Sequence, residues 1–380
     1  MNLKFGLVST DDHVQEPPDL WTSRLSKRQF GDRIPRLERT DGIDHWVLDG
    51  RALMDGAIAR PGALMGDRNA ELTRWDEVPA AAYVPAERLN IMDAGGIDYS
   101  VLYPTVAGAA GEAFAHLEDP ELELACVQAY NDWLIEEWAA ASERFIPQCI
   151  VPLWPPEAAV AEIRRAVAKG HRGVVFPGVP MEFRAVPFVG EPEWESVWAV
   201  CEELDVPLCL HAGGSRQAPH APTHALAEAI ADVMLPVNSS TLVTLYMMSR
   251  VALRHERLRF VFAESALSWG MIHLEWTSHQ FEVDGVLHEP WTFDGVTHEG
   301  YEMTPIEMFR RQCYFNGWFD AVAPYANYFG ADHILWSTNL PMANSSWPRT
   351  QETIERCLRD LSGEARDQVL WKNAASLYKL

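Results

Sequence analysis

The chain has 380 residues, 48% of them hydrophobic and 22% charged, with a formal net charge of −23. Those proportions belong to a globular protein, and the length leaves room for one large barrel or two ordinary domains. The acidic surplus excludes nucleic acid and anionic membrane surfaces as partners, because both repel it.

No apolar run is long enough to span a bilayer, and the start of the chain lacks the apolar segment of a signal peptide. The six cysteines (Cys126, Cys149, Cys201, Cys209, Cys313 and Cys357) show no CxxC spacing. Buried free thiols and a cytoplasmic location are expected. Fifteen tryptophans are many. They predict large cores or, alternatively, an aromatic pocket or subunit interface.

In chain order, the apolar run Phe5–Ser9 predicts a first strand and leads into Asp11-Asp12-His13-Val14-Gln15-Glu16-Pro17. A carboxylate and an imidazole two residues apart at a strand end share a face. Asp11 and His13 can therefore close on one metal ion, with Glu16 reaching it from the following turn. A solvated turn with a surface histidine is the alternative. Residues 17–85 are rich in Pro, Gly, Arg and Asp and predict an excursion of short pieces. Glu87–Asp93 predicts a short helix stopped at Gly95-Gly96.

Further strands are predicted at Tyr99–Tyr103, Phe145–Leu153, Gly173–Phe176, Val206–Leu210, Leu258–Ala263, Cys313–Phe315 and His333–Trp336. Helices are predicted over 119–141, from Pro155-Pro156 to Lys169, over Trp194–Leu204 and over Ser239–His255, with two more closing the chain. Residues 283–302 form a second polar excursion. Short apolar strands alternating with helices indicate a parallel sheet buried on both faces. Eight such units favour a (β/α)8 barrel as a single domain over residues 1–380, distorted by insertions after strands one and six. The strand ends of a barrel share one face, so Asp11, His13, His211, Glu264 and Asn339 should converge there.

These features resemble the amidohydrolase-related family. The resemblance rests on Asp11-x-His13-x-x-Glu16-Pro17, His211 ending strand five, and Glu264-Ser265 with Trp269 after strand six. It continues in Ser346-Trp347-Pro348 and Trp371-Lys372-Asn373-Ala374-Ala375 with Leu377-Tyr378. It implies a TIM barrel holding a divalent metal, zinc foremost with manganese or iron as alternatives. Asp11, His13 and His211 match its metal ligands, and Glu16 a carboxylate that reaches a second metal in some members. Glu264 matches a position that ligates or holds water. Members of the branch include aromatic-acid decarboxylases, hydrolases and metal-dependent oxygenases built from paired homologous barrels.

The family usually ends strand eight with Ser-Asp-x-Pro-His, where this chain reads Thr338-Asn339-Leu340-Pro341-Met342. An amide cannot accept a proton from metal-bound water, and a thioether is a soft ligand. The main expectation is therefore a companion subunit to a homologous barrel in an oxygenase-type enzyme acting on a small carboxylic acid. The alternatives are an independent metal-dependent decarboxylase or hydrolase of such an acid, with Glu264, His220 or His224 moving protons, or a metal-free binding protein. Arg216 is a candidate fork donor for a substrate carboxylate, with Asn339 and Trp269 as further substrate contacts.

Overall fold

The computed structural model describes residues 1–54, 57–66, 72–212, 227–287, 289–293 and 296–380. Eight strands form its central sheet: β1 (Val8–His13), β2 (Tyr99–Tyr103), β3 (Phe145–Ile150), β4 (Gly173–Val175), β5 (Leu208–His211), β6 (Phe260–Ala263), β7 (Cys313–Gly317) and β8 (Ile334–Trp336). Each pairs in parallel with the next from β1 to β8. Every residue of β2, β3, β5 and β6 is buried, as expected of strands covered on both faces. The result is a (β/α)8 barrel.

Between β1 and β8 the barrel is closed by side chains and strand-end backbone. Thr10 donates its hydroxyl to Trp336 O (2.9 Å), and Asn339 N donates to Asp11 O (2.9 Å). Thr338 N donates to Ser9 Oγ (2.9 Å). Asp12 completes this seam: it accepts from Ser100 Oγ of β2 (2.6 Å), Thr338 Oγ1 (2.6 Å) and Leu340 N (2.8 Å). One carboxylate thus ties β1 to β2 and to the segment after β8.

β1 begins three residues later than the sequence predicts. The backbone N–H groups of Lys4, Phe5, Gly6 and Leu7 all donate to the Asp98 carboxylate, so they are captured before any ladder forms. Gly6 supports the curl with φ +77°. The strand also runs on past Ser9 to His13, so Asp11 and His13 lie within it. The helix expected over Ser239–His255 instead spans Ala227–Met248, then restarts at Val251–Arg254 after Arg250 turns left-handed (φ +63°).

The helix Pro120–Trp133 opens where Asp119 caps it, accepting from Glu121 N and Leu122 N. The helix Pro85–Gly95 stops at left-handed Gly96. Within the first excursion a three-stranded antiparallel sheet forms from Arg36–Thr40, Ile43–Leu48 and Arg51–Ala52. This insertion reaches the barrel mouth, where Ala63 N donates to Pro341 O (2.9 Å). A Cβ on Gly62 would lie 2.7 Å from Ala343 Cβ, so glycine permits that approach. The second excursion carries the hairpin Trp291–Phe293 with Val296–His298. All six cysteines are free and buried. Among the described residues no helix is long and apolar enough to cross a membrane.

Candidate metal centre and active site

β1 buries five consecutive polar side chains, Ser9 to His13. Buried polar groups are costly unless paired, so each needs a partner. Ser9, Thr10 and Asp12 find theirs in the seam, and His13 Nδ1 bonds Pro104 O (2.8 Å). Asp11 alone has none: both carboxylate oxygens are buried without a hydrogen-bond partner.

Two imidazoles face that carboxylate. His13 Nε2 lies 3.5 Å and His211 Nε2 3.4 Å from Asp11 Oδ1, with the two nitrogens 3.2 Å apart. Each ring is anchored from behind, His13 on Pro104 O and His211 on Ala212 O (Nδ1···O 2.5 Å). A backbone carbonyl only accepts, so each Nδ1 carries a hydrogen, and in the neutral ring each Nε2 presents a lone pair. Two lone pairs and an unpartnered carboxylate converging on one point suit a cation. These three side chains also form the metal-compatible group found among the described residues.

The electrostatics agree. Burial lowers His13 to about 4; Asp11 resists this, and neighbouring His211 adds to it. Burial would lower His211 too, but Asp11 and Glu264 outweigh it and raise that imidazole to about 9. The pocket therefore favours one added positive charge and opposes a second. Tyr103, at the end of β2, packs beneath both rings, its centroid 5.1 Å from that of His211 and 6.0 Å from that of His13.

At the ends of β6 and β8 stand Glu264 and Asn339, both with left-handed backbones (φ +48° and +55°). Asn339 Nδ2 donates to Glu264 Oε1 (2.7 Å) and to Asn344 Oδ1 (2.8 Å), and Asn344 Nδ2 donates to the same Glu264 Oε1 (3.0 Å). Glu264 Oε2 lies 3.8 Å from His211 Nδ1. Burial raises the Glu264 carboxyl above the usual range, against the pull of His211.

The family model described as Amidohydrolase matches residues 45–380. This chain belongs to the amidohydrolase family. The gamma-resorcylate decarboxylase of Rhizobium radiobacter is 25% identical over 272 residues, which cover 68% of this amidohydrolase and 76% of that enzyme. A crystal structure of an amidohydrolase from Mycobacterium avium subsp. paratuberculosis superposes with a TM-score of 0.80 at 21% identity, covering 99% and 100% of the two chains. A dihydroxybenzoic acid decarboxylase from a Polaromonas species, with manganese and 2-nitroresorcinol bound, has a TM-score of 0.64 at 18% identity over 100% and 98%. The last two likenesses show the fold.

The structure brings Asp11, His13, His211, Glu264 and Asn339 to one end of the amidohydrolase barrel. It does not bring Glu16 there. That carboxylate accepts from Thr105 N (3.2 Å), Val106 N (2.8 Å) and Ala107 N (3.2 Å), fixing the loop after β2. Trp269 packs on Phe315 (4.9 Å between centroids) and gives its indole N–H to Ser265 O, so it braces the layer outside β6 and β7. Arg216, His220 and His224 lie outside the described residues. His273 is half-buried and bonds Thr244.

Three neighbours of the site were not singled out by sequence reasoning. Tyr103 sits at a strand end, a position that itself signals the mouth. Glu112 feels the charge of His211, which lowers its buried carboxyl while burial raises it overall. Asn344 has no local signature beyond its place five residues after Asn339.

Proposed function

We propose that the chain is a metal-dependent decarboxylase of a small aromatic carboxylic acid. Asp11, His13 and His211 hold one divalent ion, and Glu264 carries the proton. The observation behind this reading is the unpartnered, fully buried Asp11 carboxylate facing two imidazole lone pairs. The kinship with gamma-resorcylate decarboxylase supports it and favours this reading over a companion subunit of an oxygenase-type enzyme. The companion reading rests on Asn339 and Met342, whereas an intact donor triad weighs against a site stripped of chemistry.

His and carboxylate donors accept manganese, zinc or iron, and the manganese in a structural relative makes that ion the first to try. When bound, the ion supplies a Lewis acid for substrate oxygens. His13 and His211 stay oriented because their second nitrogens are tied to backbone carbonyls.

Decarboxylation tolerates the missing strand-eight base, because it requires a proton delivered to carbon and no activated water. The electron pair of the breaking C–C bond stays on the ring carbon, CO2 leaves, and that carbon takes one proton. Glu264 supplies the proton and regains it from solvent through its 12% exposed side chain. Six buried free thiols fit a reducing cytoplasm as the setting.

The test is CO2 release by manganese-loaded protein offered gamma-resorcylate and other ortho-hydroxybenzoates. Release that is lost in Asp11→Ala supports the reading. Protein that carries one ion per chain yet releases no CO2 from any of these acids contradicts it.

A further inference from the structure

We propose that Asn339 and Asn344 are positioning residues that clamp Oε1 of Glu264 and leave Oε2 as its reactive oxygen. The inference deepens the decarboxylase reading and rests on it.

An ionised carboxylate only accepts hydrogen bonds, so any amide group touching it must present nitrogen. Both asparagines are turned that way. Asn339 Nδ2 spends its two hydrogens on Glu264 Oε1 (2.7 Å) and Asn344 Oδ1 (2.8 Å), and Asn344 Nδ2 returns one to Glu264 Oε1 (3.0 Å). The three side chains form a closed ring of hydrogen bonds. With two N–H groups aimed at Oε1, a proton there would point at donors. Oε2 accepts from neither asparagine and is the oxygen left free to act.

A carboxylate at position 339 would supply no donor and would set a second negative charge against Glu264. The amide ending strand eight is thus part of the device. Its backbone is left-handed, a conformation asparagine tolerates better than most residues. Asn344 is held in reach by the loop after β8, where Ser345 Oγ donates to Thr338 O (2.6 Å) and Ser346 N to the same carbonyl (3.1 Å). Asn344 itself is exposed, so its substitution leaves the core untouched.

In the step this serves, the O–H bond at Oε2 breaks as the ring C–H bond forms and CO2 departs with the carboxyl carbon. Glu264 is left as the carboxylate, Oε1 still clamped, until solvent returns the proton.

The test uses manganese-loaded, 13C-glutamate-labelled protein. The Glu264 carboxyl infrared band is assigned by its loss in Glu264→Gln. Asn344→Ala should shift that band, and Asn344→Gln should restore it in part. With a substrate the wild type turns over, Asn344→Ala should lower kcat about 10–100-fold. KM should stay within about twofold and manganese affinity should not change. An unshifted band overturns the clamp, whether or not the protein decarboxylates anything. A shifted band with unchanged kcat, or a loss of kcat matched by a loss of metal affinity, overturns the positioning role. A wild type inactive on every acid sinks the decarboxylase reading, while the band still decides the clamp.

Discussion

The ends of β1 and β8 lie side by side across the seam and differ in how far their polar groups are engaged. At β1, Asp11 keeps two buried oxygens free of any hydrogen bond, while both imidazoles beside it are tied to backbone carbonyls at the far nitrogen and meet each other at the near one (3.2 Å). At β8, the Asn339 amide nitrogen has both hydrogens engaged, and the engagement passes through Asn344 back to Glu264. One end leaves donor atoms for a cation; the other spends its amide nitrogen on orienting a carboxylate and leaves a single buried oxygen, Asn339 Oδ1, without a partner. On the proposed reading, the residue that replaces a ligand at one strand end serves a neighbour instead.

Breaking the proton-carrying side of this contrast should have the largest effect. Glu264→Gln should lower kcat on the order of 10²–10⁴-fold, the range for a lost general acid, with manganese still bound at one ion per chain. Asn339→Asp comes next: by removing the donor and adding a like charge it should lower turnover about 100-fold. A gain in turnover from that change would mean that β8 is a degraded ligand position and the contrast is false.

Asp12→Ala probes what holds the two ends together. Three donors on β2 and around β8 lose their acceptor, for a cost of roughly 3–5 kcal/mol in thermal unfolding. An unchanged unfolding midpoint would remove Asp12 from the seam. The smallest effect concerns Glu16. Burial raises its carboxyl to about 7 against three backbone N–H donors. The folded state then holds this proton more tightly than the unfolded chain does. The resulting stability is complete below about 4.5, the ordinary carboxyl value, and is lost as pH rises through about 7. Glu16→Gln should therefore flatten the fall in unfolding midpoint between those two pH values, and an identical slope would contradict the assignment.

Much of the barrel is legible because strands buried on both faces read as short apolar runs between helices. The donor triad is legible for a related reason: residues 11 and 13 share a face by period two, and His211 closes an apolar run. What is not legible depends on contacts distant in sequence. The start of β1 is displaced because Asp98 captures the preceding N–H groups, about ninety residues away. Glu16 is misleading for the same reason: its place in the motif suggests a ligand, yet its partners are the amides of 105–107. Trp269 follows Glu264 closely but turns outward onto Phe315. Asn344 gains meaning only when β6 and β8 are brought together.

The central claim is that Asp11, with His13 and His211, holds one divalent ion, and its most direct test is metal stoichiometry after equilibrium dialysis against manganese. Wild-type protein should retain one ion per chain. Asp11→Ala and His211→Ala should each lose it by more than the roughly 10–100-fold typical of removing an outer partner of a metal ligand. No ion on the wild type, or an ion retained unchanged by both variants, would contradict the account.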